Sequence, residues 1–116
     1  MHDYRKLRVW QDAVELAVEV YRLTRTFPPE EKFNLVSQMN RAAVSVGSNI
    51  GEGAGRATNG EFVQFLGYAS GSCSELITQV VIADRLALGS PDLRMVVLQR
   101  TTAVQKMIFT LMKTLR

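Results

Sequence analysis

Hydrophobic and polar positions divide the chain into four helical stretches separated by short breaks. From about residue 8 to 26, Trp10, Ala13, Val14, Ala17, Tyr21 and Thr24 form a stripe at helical spacing, widened by Val9, Leu16, Val20 and Leu23. Only Gln11, Asp12, Glu15, Arg22 and Arg25 leave a clearly polar strip. So wide an apolar arc exceeds what one bundle core requires. Val9, Leu16, Val20 and Leu23 are therefore expected to pack against another subunit. Arg8–Asp12 and Glu19–Arg22 have the spacing of surface ion pairs, each contributing about 0.2–0.5 kcal/mol.

Phe27-Pro28-Pro29 ends the first stretch, because proline disfavours helical geometry in the residue before it. The second helix is expected over 30–55, with Glu30 and Glu31 at its positive end. Val36, Met39, Ala43, Val46 and Ile50 form its buried stripe, and Arg41, Ser45, Ser48, Glu52 and Arg56 run along the other side. Gly47, Gly51 and Ala54 make a third, very small face. An interior glycine costs about 1 kcal/mol relative to alanine, so such a face suits close approach of another backbone or a ligand.

Thr58-Asn59-Gly60-Glu61 reads as a capping box opening a third helix over 59–88. Phe62, Phe65, Leu66, Ala69, Cys73, Leu76, Ile77, Val80 and Ala83 lie on its apolar face. Gly67 and Gly71 match the small face of the second helix and are expected to pack against it. Gly89 is expected as the residue just past the helix end. Ser90-Pro91-Asp92 then supplies an N-cap, a first-turn proline and a first-turn acid for a fourth helix over 91–115. Leu93, Val97, Val104, Ile108, Leu111 and Leu115 form its apolar stripe, with Met107 and Met112 as gap fillers. Four amphipathic helices with short connections predict an all-α, antiparallel up-down four-helix bundle in one domain spanning 1–116.

Length and composition fit that reading: 116 residues, 47% hydrophobic and 22% charged, suffice for one core. No apolar run reaches transmembrane length, and the N-terminal stretch lacks the apolar segment of a signal peptide. A single cysteine excludes an internal disulfide framework, and a reducing, cytoplasmic setting is expected. Net charge is +3, unevenly spread: residues 57–89 carry −2 and residues 90–116 carry +4. The excess lies on Arg94, Arg100, Lys106, Lys113 and Arg116.

Catalytic constellations are missing from the sequence. The only histidine is His2, in a lead-in expected to fray, so neither a Glu-x-x-His metal pair nor a histidine-based triad can be assembled. One His and one Cys give no zinc site. Gly51-x-Gly53-x-Gly55 follows no strand, lacks a Lys-Ser/Thr sequel and puts Arg56 where G-x-G-x-x-G needs glycine. No enzyme activity, metal, cofactor or small-molecule substrate is expected. Asn49, Glu52 and Arg56 share one helix face as a polar patch, in which Glu52–Arg56 has ion-pair spacing. Such a pair more often ties down a helix end than forms a site. The functional reading is a surface that, with Arg41, meets RNA phosphates or a partner protein.

Longer stretches carry a family signature. The chain opens with Tyr4-x-Lys6-Leu7-x-Val9-Trp10-Gln11-x-Ala13 and continues with Phe27-Pro28-x-x-Glu31-x-Phe33-x-Leu35. Gln38-x-x-Arg41-Ala42-Ala43-x-Ser45-Val46 and Asn49-Ile50-x-Glu52-Gly53-x-Gly55-Arg56 follow, then Glu61-Phe62-x-x-Phe65-Leu66-x-x-Ala69-x-Gly71-Ser72. This order closely resembles the four-helix-bundle family named for proteins encoded in intervening sequences of bacterial 23S rRNA genes. The accessory variability determinant (Avd) proteins of diversity-generating retroelements look like a branch of it. The resemblance runs from Tyr4 to about Leu88. It departs at Gly51, where the family pattern usually has alanine, and the fourth helix carries little of the signature. It implies a bundle assembled into a ring-shaped homopentamer, without known enzymatic activity. For the Avd-like branch it implies binding to nucleic acid and to a reverse transcriptase.

Together these readings give a ring-forming helical protein that contacts structured RNA. The expected contacts are Arg94, Arg100, Lys106 and Lys113 on the fourth helix, with Arg41 and Arg56. The rival is a protein–protein adaptor, for example an accessory to a reverse transcriptase, with no direct nucleic-acid role.

Overall fold

The computed structural model describes residues 1–116. A 3-10 turn at Tyr4–Lys6 leads into α1 (Arg8–Thr24), and a second 3-10 turn at Pro29–Glu31 precedes α2 (Leu35–Ala54). Then come α3 (Asn59–Arg85) and α4 (Pro91–Leu115). There is no strand. α1 packs on α2, α2 on α3, α3 on α4, and α4 closes back on α1. The bundle measures 43 × 22 × 20 Å, its long axis set by α3, which at 1.5 Å per residue spans about 40 Å.

A continuous core of 23 buried apolar residues runs along the bundle axis. Leu16, Val20, Met39, Val46, Ile50, Leu66, Leu76, Val97 and Ile108 are fully buried within it. Each such side chain contributes about 1.5–3 kcal/mol. On α1 the inward set is Val9, Ala13, Leu16, Val20 and Leu23. This corrects the expected subunit interface: Val9, Leu16, Val20 and Leu23 belong to the chain's own core. Two heptad stripes lie about 100° apart on this helix. The aliphatic one turns inward, while Val14, Val18 and Tyr21 are exposed and Trp10 and Ala17 half-buried.

Two boundaries differ clearly from expectation. α2 starts at Leu35, not Glu30, because Asn34 leaves helical geometry (φ −112°, ψ −107°) and its Nδ2 bonds to Glu30 O at 3.4 Å. Glu30 and Glu31 therefore sit in the separate 3-10 turn. α3 ends at Arg85, before Gly89. Ala87 takes the left-handed conformation (φ 53°), and Leu88 N donates to Ala83 O at 2.9 Å. That is a Schellman closure with alanine where glycine is usual. Gly89 is also left-handed (φ 69°), and a Cβ there would lie 2.6 Å from Phe27 Cδ1. The capping box forms with one change: Glu61 N donates to Thr58 Oγ1 at 3.2 Å, but the Glu61 carboxylate meets the Thr58 hydroxyl rather than its amide.

Small residues are used differently from expectation. Gly67 and Gly71 face open space, and Gly47 and Gly51 turn toward Ala13 and Trp10 of α1. The close α2–α3 approach is at Gly53, where a Cβ would lie 2.7 Å from Phe65 Cβ and 3.3 Å from Phe62 O. The lead-in is docked: His2 N donates to Ala54 O at 2.8 Å, His2 packs on Phe62 at 5.3 Å, and Tyr4 meets Trp10 edge-on at 5.1 Å. It thereby covers a carbonyl at the end of α2 that the helix leaves unpaired.

Candidate nucleic-acid interface

The polar patch expected around Asn49 divides in two. Asn49 is half-buried, and its Nδ2 turns back to Ser45 O at 2.9 Å and Ser45 Oγ at 3.0 Å. The Ser72 hydroxyl donates to the same Ser45 Oγ at 3.0 Å. Asn49 thus belongs to a polar seam joining α2 to α3. Arg56 Nη2 donates to Glu52 Oε1 at 3.0 Å, and its guanidinium lies 4.7 Å from the Phe65 ring centroid. The first ties the turn back to α2 and the second ties it to α3, and Glu52 neutralises the charge. Arg56 is therefore fitted to the fold rather than offered to a phosphate.

Arg94 is also a structural residue, a second correction to the expected contact set. It is 8% exposed and bonded to Asp84 and to the Leu88 and Gly89 carbonyls. Arg100, Lys106 and Lys113 are exposed and in no ion pair. They do not form one row. Lys106 and Lys113 are seven residues apart and share a face, whereas Arg100 lies about a third of a turn away.

What the sequence reading missed is the side chain opposite Lys106. Arg8, at the start of α1, lines the same shallow cleft of about 420 Å³, whose floor includes Leu7, Met107 and Leu111. Arg8 is only loosely neutralised, its Nε 3.5 Å from Asp12. From Leu93 to Arg116 the chain has no acidic side chain. The result is a cationic ridge in which Arg8 and Lys106 flank the α1–α4 cleft and Lys113, one heptad on, extends it along the same face of α4. The signal was available only in part: basic residues 98 positions apart become neighbours when α4 closes on α1.

Arg41 is exposed and unpaired on α2, away from that ridge. It lies with Lys32 and Phe33 beside the α1–α2 groove, and Phe33 is 85% exposed. Lys32 Nζ sits 5.4 Å from the Phe33 ring centroid. The groove continues along α1 past Tyr21, Val44, Val14 and Trp10, giving an exposed apolar strip. Cys73 is buried, and desolvation pushes its thiol up to about 12, which removes its thiolate character at neutral pH. No three His, Cys, Asp or Glu side chains come together as a metal-ligand group. No helix is long and apolar enough to cross a membrane.

A model of the 23S rRNA-intervening sequence protein family matches residues 5–110. The chain belongs to that family. As a 23S rRNA-intervening sequence protein it shares its fold with a protein of unknown function from the S23 ribosomal protein family of Bacteroides thetaiotaomicron. That solved structure superposes with a TM-score of 0.83 at 22% identity, covering 90% of this chain and 98% of the other. No curated protein matches the chain. The family match includes Arg8, Arg41 and Lys106 and stops short of Lys113.

Proposed function

We propose that this 23S rRNA-intervening sequence protein is a non-enzymatic, self-assembling bundle that binds structured RNA through phosphate contacts. The observation that carries the reading is the ridge of Arg8, Lys106 and Lys113. Arg8 and Lys106 line one cleft, Lys113 follows one heptad on along α4, both lysines are unpaired, and α4 carries no acid beyond Asp92 in its first turn. Phosphates positioned by such a ridge give binding that weakens steeply with salt and carries little sequence information. The ring-shaped homopentamer implied by the family resemblance is part of the same proposal. Its apolar contribution is assigned to the strip of Val14, Tyr21 and Val44 in place of the α1 residues first expected. The test is RNA affinity across salt for the wild type and a Lys106→Gln/Lys113→Gln variant.

The adaptor reading is favoured by that same strip. An exposed apolar surface rimmed by polar residues fits a partner protein as well as a second copy. If RNA binding fails while the strip captures a nucleic-acid-processing protein such as a reverse transcriptase, the adaptor reading takes its place.

A further inference from the structure

Between α2 and α3 lies a second, mostly polar cleft of about 360 Å³, lined by Phe33, Ser37, Gln38, Arg41, Glu75 and Gln79. Gln79 is 5% exposed, and its Oε1 is buried without a hydrogen-bond partner. A buried amide oxygen left in that state is unfavourable unless a donor is brought to it. Arg41 and Glu75 line the same cleft yet form no ion pair with each other or with any other side chain. Phe33 stands at the lip with most of its ring open to solvent.

We propose that this cleft takes an unpaired nucleobase bearing an exocyclic amine. The inference rests on the RNA-binding reading above and names what a second contact, on the seam opposite the Arg8–Lys106 cleft, recognises. Phe33 offers a stacking face, as single-stranded recognition requires. Glu75 accepts from the exocyclic amine, and the Gln79 amide, which no side chain or backbone group satisfies at Oε1, lies at the wall against the base edge. Arg41 takes the adjoining phosphate. The charges select this arrangement. Glu75 repels a phosphate inside the cleft, and Arg41 repels a cationic side chain, so the inserted group is neutral and the phosphate stays outside. Cytosine, adenine and guanine carry the required amine and uracil does not.

The test uses the full chain and three RNAs of equal phosphate count: a hairpin with a cytidine loop, one with a uridine loop, and a blunt duplex. The cytidine loop is expected to bind about fivefold tighter than the uridine loop or the duplex. Phe33→Ala is expected to cost the cytidine loop roughly tenfold and leave the duplex unchanged. Glu75→Gln is expected to erase the cytidine preference. Both side chains are exposed, so helix content by circular dichroism should match the wild type. Lys106→Gln/Lys113→Gln lowers all three affinities while keeping the ratio between loops. Equal binding of the two loops by the wild type, or an unchanged loop affinity in Phe33→Ala, overturns the proposal. If no RNA binds at any salt, the phosphate reading itself fails. Cytidine monophosphate titrated into isotopically labelled protein then decides the cleft. Shifts at Phe33 and Gln79 support it as a free-nucleotide site, and their absence overturns it.

Discussion

Arg94 Nε donates to Asp84 Oδ1 at 3.3 Å across the α3–α4 turn, while Nη1 donates to Leu88 O at 2.6 Å and Gly89 O at 2.8 Å. One guanidinium thus satisfies two turn carbonyls that no helix reaches. Asp84 is 69% exposed, so its ion pair with Arg94 is screened and contributes little. The carbonyl contacts, made by an arginine that is 8% exposed, carry most of the effect. Arg94→Met is expected to destabilise the protein by about 2–3 kcal/mol in denaturant unfolding. Asp84→Asn is expected to cost less than about 1 kcal/mol. Neither change is expected to alter RNA affinity at a concentration of denaturant where the variant stays folded.

Glycine positions separate into two classes. Gly53→Ala would set a Cβ 2.7 Å from Phe65 Cβ, so a loss of about 1–3 kcal/mol is expected from overpacking at the α2–α3 crossing. Gly67→Ala and Gly71→Ala meet open space inside a helix, and each is expected to stabilise by roughly 0.5–1 kcal/mol. Thermal unfolding of the three single variants checks the ranking. A Gly53→Ala protein as stable as the wild type would mean that the two helices separate more readily than their packing suggests.

Cys73 predicts a pH dependence. Its folded-state value is raised to about 12 by burial, above that of an exposed thiol near 8.5. Between those values the unfolded chain releases the proton and the folded one keeps it. Stability from this group is therefore full below about pH 8.5 and falls as pH rises towards 12, by about 1.4 kcal/mol per unit. Cys73→Ala is expected to flatten that alkaline slope while costing packing energy at neutral pH. In the native wild type, a thiol reagent is expected to react only as fast as the protein unfolds.

Much of this fold was readable because its signals are local. The Pro28-Pro29 pair, the Ser90-Pro91-Asp92 start and the Thr58 cap act within a few residues, and α4 begins and ends where the pattern placed it. The orientation of α1 was not readable. Its two stripes differ by one residue in phase, and only the partner helices decide that Leu16 and Val20 turn inward while Val14 and Tyr21 stay out. The same limit applies to the site. Lys106 and Lys113 were legible as free cations, but Arg94 is consumed by a turn that no spacing rule describes. Arg8 joins the ridge only through tertiary closure, and the Phe33–Gln79 cleft combines residues 46 positions apart.

Self-assembly depends on the α1–α2 strip. Val14 and Val44 are exposed and line one groove, so Val14→Glu/Val44→Glu is expected to change monomer stability by no more than about 0.5 kcal/mol per site. Light scattering is expected to give several chains per particle for the wild type and one for the variant. An assembly unaffected by both charges would move the interface elsewhere on the bundle.

On the proposed function, the Arg8–Lys106–Lys113 ridge holds RNA by its phosphates. Fluorescence anisotropy of a labelled, structured RNA, titrated at a series of salt concentrations, tests it directly. The wild type is expected to show a logarithmic affinity that falls linearly with the logarithm of salt. Lys106→Gln/Lys113→Gln is expected to weaken binding at every salt and reduce that slope by about two. An affinity independent of salt, or a slope that survives loss of both lysines, would contradict the account.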